Sequence, residues 1–135
     1  MSDPAQPASA TAHDALAAID ALHALGPRTV LVTSLHTDAT PDDAIDLLAS
    51  DASGRFRVRT PKLPISVNGA GDAIAALFFA HYLRSGSAAE AVSSAASSVF
   101  GVLKRTAEAG SREILLVDAQ DEFVSPSRAF PAERI

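Results

Sequence analysis

Apolar and polar positions alternate along this chain in patterns that predict an ordered series of elements. Thr11 has N-cap chemistry, Leu16, Ile19 and Leu22 recur at spacing three, and Gly26-Pro27 follow, so residues 12–25 are predicted to be a helix. Residues 29–33 carry Val30, Leu31 and Val32 with no polar alternation, as expected of a buried strand in a parallel sheet covered on both faces. A helix leading into such a strand is half of an α/β repeat. Further on, Phe56 and Val58 alternate with Arg55, Arg57 and Arg59, a period-two strand pattern. The stretch between is ambiguous, because Thr40-Pro41-Asp42-Asp43 has the cap, the N1 proline and the acidic first turn of a short helix. Residues 73–83 form a strongly apolar helix ending near Ser85-Gly86. A second helix is predicted over 88–109, with Val92, Val99, Val102 and Leu103 as its larger contacts and small residues crowding 93–101. A last strand, 113–117, precedes a polar segment and a short tail.

The chemistry concentrates at Val67-Asn68-Gly69-Ala70-Gly71-Asp72, directly before the apolar helix. Two glycines let the backbone take φ > 0 and approach a ligand without Cβ atoms in the way, so free amides at a helix start converge on an anion. The helix dipole favours negative charge at the same spot. Asp72 on the first turn could then accept a proton from an attacking hydroxyl, although its charge repels phosphate and it cannot be the main anchor. The turn matches neither common nucleotide fingerprint. There is no Gly-x-x-x-x-Gly-Lys-Ser/Thr run, and Ile74 stands where a dinucleotide motif needs its third glycine.

The flanks of this turn resemble the C-terminal half of pyridoxal kinases, within the ribokinase-like superfamily. The resemblance runs in order through Thr29-Val30-Leu31-Val32-Thr33-Ser34, Arg57-Val58-Arg59-Thr60-Pro61, Gly69-Ala70-Gly71-Asp72, Val102-Leu103-Lys104-Arg105-Thr106 and Leu115-Leu116-Val117-Asp118-Ala119-Gln120-Asp121. It implies the C-terminal portion of a three-layer α/β/α fold: a few-stranded, mostly parallel sheet with a hairpin, packed by helices. Residues 1–11 would be a loose leader and 12–135 the kinase portion. The resemblance also makes 44–49 the first arm of a hairpin with 56–59, which decides the ambiguous stretch.

By the same resemblance, the amides of Gly69, Ala70 and Gly71 are an anion hole and Asp72 is the base toward a B6 vitamer's hydroxymethyl group. Thr33, Ser34, Thr60, Pro61, Lys62 and Leu63 lie against ATP, and Mg2+ arrives mainly with the nucleotide. Nothing matches the family's N-terminal half, which implies a truncated kinase or a piece needing a complementing N-terminal half. A strand edge left open in this way should favour homo-oligomers. The competing readings are a hydroxymethylpyrimidine or sugar kinase, and a catalytically incompetent nucleotide-binding interaction module.

Composition narrows the partners. Sixteen acidic against eleven basic residues, a net charge of −5, argue against a general nucleic-acid or acidic-membrane surface. Without cysteine there is neither a disulfide framework nor a thiolate metal site. The leader has no basic start and no apolar core, and the longest apolar run, 73–80, falls far short of the roughly 18 residues of a membrane span. A cytoplasmic protein is therefore expected. His13, His23, His36 and His81 are scattered, and Asp42, Asp43 and Asp46 lack EF-hand spacing. Arg55, Arg57 and Arg59 are expected to form a solvated strand edge that discourages aggregation.

Overall fold

The computed structural model describes residues 11–65 and 67–135. The leader expected over 1–11, Thr11 apart, lies outside the described residues. Helix α1, Ala12–Ala24, opens on a reciprocal capping box: the Asp14 amide donates to Thr11 Oγ1 at 3.0 Å, and the Thr11 amide to the Asp14 carboxylate at 3.4 Å. Four strands follow the same chain order as their order in the sheet: β1 Val30–Leu35, β2 Ala44–Asp51, β3 Gly54–Pro61 and β4 Glu133–Arg134. Helices α2, Ala70–Ser85, and α3, Ala88–Ala109, lie between β3 and β4 in sequence.

Every neighbouring pair in this sheet is antiparallel, which corrects the expectation of a mostly parallel one. The reason is visible in β1. Leu31 packs with Leu47, Ala49, Phe56 and Val58 against α2 and α3, while Val30 and Val32 pack with Leu48 against Ile19 of α1. Two covered faces make a continuously apolar strand whichever way its neighbour runs. The α/β/α layering was legible in that run, and strand direction was not.

The hairpin of β2 and β3 forms as expected, with Leu47 opposite Val58 and Ala49 opposite Phe56. Its start excludes the short-helix alternative: Thr40 is buried, and its hydroxyl accepts from the Thr37 amide (3.0 Å) and donates to Asp46 (2.8 Å). The arginine face is not a solvated edge, because β3 is interior to the sheet. Each arginine has an acidic partner instead: Arg55 with Asp20, Arg57 with Glu133 and Arg59 with the buried Asp46.

Residues 113–117 do not form a strand. Glu113 makes one isolated parallel bridge to Asn68, after which the chain turns and leaves Leu116 and Val117 exposed. An apolar run becomes a strand only beside a ladder partner, and here a single residue supplies one. The segment is held instead through the Leu115 amide, which donates to Thr106 Oγ1 at 3.1 Å.

The small residues of α3 let the polypeptide behind it come close. A short 3-10 helix, Gln120–Phe123, places Glu122 against Gly101 with 1% of its surface exposed. Its carboxylate accepts from the Ser127 amide (2.8 Å) and from Arg105 (3.3 Å). A Cβ on Gly101 would run into that carboxylate and come within 2.9 Å of Glu122 Cγ. Gly101→Ala is therefore expected to destabilise the chain by about 2–3 kcal/mol through overpacking. Urea unfolding checks this, and an unchanged midpoint would show that the Glu122 segment shifts freely.

Candidate active site

The glycine turn has the local geometry of an anion site. Gly69 is the N-cap of α2 at φ 96°, a left-handed conformation that disfavours side chains, and among the described residues no side chain caps the helix. The first intrahelical bond is from the Ala73 amide to the Gly69 carbonyl at 3.0 Å, so the amides of Ala70, Gly71 and Asp72 come before the helical ladder begins. The turn is held from behind by the Asn68–Glu113 bridge and by Ile114, whose Cγ2 lies 3.1 Å from where a Gly69 Cβ would stand. Gly71 differs from the sequence expectation. Its φ is not positive, and a Cβ there would meet nothing within 4 Å, so its use is open access rather than backbone freedom.

Beside this turn lies a cavity of about 280 Å3. It joins Ala70 and Gly71 to Ser34 and to Thr60, Pro61, Lys62 and Leu63, bringing together segments some 35 residues apart in sequence. Ser34 reaches it through an irregularity between Val32 and Leu35, where Ser34 has φ 54°. The connector after β3 is fixed by the Lys62 amide, which donates to the Asp43 carbonyl at 2.8 Å, leaving the Lys62 side chain exposed. Thr33, Gly69 and Asp72 do not line the cavity. Asp72 stands exposed on the first turn of α2.

Sequence reasoning missed the apolar walls. Ile74 of α2 and Val99, Phe100 and Leu103 of α3 close one side, with Ile45 and Leu47 of β2 opposite. Their periodicity was legible, but it reads equally as core packing. The cavity thus has apolar walls and a polar end at the helix start, which suits a flat ring system carrying an anionic tail. Among the described residues no three Asp, Glu, His or Cys side chains could jointly hold a metal ion.

The two glycines separate strain from access. Gly69→Ala is expected to cost about 1–3 kcal/mol, because alanine must hold a left-handed backbone against Ile114. Gly71→Ala should leave the melting temperature unchanged or slightly raised, because a Cβ there meets nothing within 4 Å. Thermal melts check both, and equal melting losses would contradict the distinction.

The sequence profile of the phosphomethylpyrimidine kinase family matches residues 4–116. The chain belongs to that family. A pyridoxal kinase of Granulibacter bethesdensis is 56% identical over 108 residues, covering 80% of this chain and 38% of the relative. One from Leifsonia xyli is 43% identical, covering 93% and 44%. Among solved structures, the pyridoxal kinase from Leishmania donovani in complex with ADP and pyridoxine matches with a TM-score of 0.81 and 25% identity, over 93% of this chain and 45% of that one. The pyridoxal kinase from Entamoeba histolytica shares the fold at TM-score 0.78 and 22% identity, over 93% and 44%. This family member thus spans less than half the length of the relatives it matches. No helix among its described residues is long and apolar enough to cross a membrane.

Proposed function

We propose that the chain is the phosphate-handling part of a cytoplasmic pyridoxal kinase, which transfers the γ-phosphoryl group of ATP to the 5′-hydroxyl of pyridoxal, pyridoxine or pyridoxamine. The observation that carries this reading is the cavity joining Ser34 and Thr60–Leu63 to the free amides of the glycine turn. Its relatives' names point the same way, as do the ADP and pyridoxine of the Leishmania donovani structure.

In this reading Thr33, Ser34, Thr60, Pro61, Lys62 and Leu63 hold the nucleotide. The amides of Gly69, Ala70 and Gly71 take up the negative charge of the transferred group, in a site where oriented donors need no reorganisation. Asp72 accepts the hydroxyl proton as the new O–P bond forms and the bond to the leaving ADP breaks. Mg2+ carried on the nucleotide would neutralise phosphate charge. A hydroxymethylpyrimidine kinase is the second reading, favoured by the family profile.

The test is ATP-dependent phosphorylation of pyridoxal and of hydroxymethylpyrimidine by the purified chain, alone and mixed with the unmatched segment of the Granulibacter bethesdensis relative. Turnover of pyridoxal by the chain alone would make it a self-sufficient kinase, and turnover only in the mixture a half-enzyme. Preference for the pyrimidine selects the second reading. No turnover at saturating nucleotide in either would replace catalysis with a nucleotide-binding module.

A further inference from the structure

After the 3-10 helix the chain turns back across α3 before β4 begins, and Phe130 anchors this return segment. Phe130 is 5% exposed, its amide donates to Ser97 Oγ at 2.9 Å, and its carbonyl accepts from Ser93 Oγ at 2.5 Å. Ser93, Ser97 and Phe100 follow one another at spacing four and three, on one face of α3. Alanine at either serine would keep the close approach but leave a backbone group of Phe130 without its partner. The Phe130 ring meets Phe100 edge to face, with centroids 4.9 Å apart and planes at 73°. Arg128 completes the cluster, its guanidinium 4.8 Å from the Phe130 centroid and 5.9 Å from that of Phe100.

Phe100 is also part of the wall of the cavity beside the glycine turn. A side chain in a cavity wall lacks packing on its open side, so its rotamer has to be fixed from behind. We propose that Phe130 and Arg128 are positioning residues for this cavity, holding the Phe100 ring in the orientation that receives the flat part of a ligand. Neither residue lines the cavity, so their effect passes through Phe100. The ligand half of this inference rests on the nucleotide reading of the site. On that reading the glycine-turn amides take the phosphates while the apolar wall meets the ring system, so loosening Phe100 should weaken ring binding and spare the phosphate tail. A merely structural role for Phe130 would instead weaken both together.

The experiment compares the wild-type chain with Phe130→Leu and Arg128→Gln by two readouts: the ring-flip rate of Phe100 in chains carrying ring-labelled phenylalanine, followed by NMR, and titrations with ATP and with inorganic tripolyphosphate. Arg128 is exposed, so its substitution tests the cluster without opening the core. The Phe100 flip is expected to speed up by at least about tenfold in Phe130→Leu and by a smaller factor in Arg128→Gln, because the edge-to-face and cation–π contacts that hold the ring are lost. ATP binding should weaken by about three- to tenfold in Phe130→Leu, the range that one aromatic pair supplies, with tripolyphosphate affinity unchanged. An unchanged flip rate in both variants overturns the proposal, and so do equal losses for ATP and tripolyphosphate. A wild-type chain that binds neither ligand removes the nucleotide reading, and a Phe100 ring freed in both variants still supports the positioning role.

Discussion

Asp72→Asn is expected to lower phosphorylation of pyridoxal by about 100- to 10,000-fold in whichever assembly is active, the range that a positioned general base contributes. Asparagine keeps the shape of the side chain and removes its charge together with its ability to take the proton. Asp72 is exposed and lies on the first turn of α2, so the fold should barely notice. The lost helix-dipole interaction is worth about 0.3–1 kcal/mol. On the proposed reading ATP affinity should stay equal or tighten, because a carboxylate beside the amides proposed to hold phosphate repels the nucleotide's negative charge. Steady-state rates with an ATP titration separate the two effects. A variant that keeps wild-type turnover would make Asp72 an ordinary first-turn carboxylate, and one that loses ATP binding would make it an anchor.

The parts of the fold that were legible in the sequence are those set by local chemistry. The N-cap at Thr11, the alternation of Phe56 and Val58, and Ser85-Gly86 after α2 each fix an element within a few residues. What failed depends on neighbours far away in the chain. Nothing in Val30-Leu31-Val32 encodes the direction of β2, and nothing in 113–117 reveals that Asn68 alone would meet it. The candidate site divides in the same way. Ser34, Thr60–Leu63, Ala70 and Gly71 line one cavity, Thr33, Gly69 and Asp72 do not, and the α3 wall was hidden among core positions. Arg59 was misread for a related reason. Its partner Asp46 sits 13 positions earlier, on the other strand of the hairpin, and only the register of that hairpin places them side by side.

That pair should be the most sensitive point of the sheet. Asp46 is 3% exposed and receives Arg59 Nε at 2.7 Å, Arg59 Nη2 at 2.9 Å and the Thr40 hydroxyl at 2.8 Å. Asp46→Ala leaves the guanidinium and the hydroxyl without their acceptor. Breaking a buried pair costs about 3–5 kcal/mol. Arg59 is half-buried and also donates to the Ala39 carbonyl, which places the loss near the lower end, about 3 kcal/mol, or roughly 10–20 °C in melting temperature. Replacing both partners by apolar residues, Asp46→Leu with Arg59→Met, should recover much of that loss, since neither charge then stays buried alone.

The pH dependence has a definite sign. Burial raises the proton affinity of Asp46, but the hydrogen bonds from Arg59 and Thr40 and the charges of Arg59 and Arg57 outweigh it, so the carboxyl titrates below its ordinary value. A depressed carboxylate contributes stability that is present above its unfolded pKa and is lost as pH falls through the folded one. Melting from pH 7 downward should therefore fall less steeply in Asp46→Asn than in the wild type, and equal slopes would show that the pair does not couple to folding. The consequence reaches the cavity. Ile45 and Thr60, the immediate chain neighbours of the two partners, face the other side of the sheet and line it. The hairpin register that pairs Asp46 with Arg59 on the α1 side thus also sets Ile45 and Thr60 against the cavity.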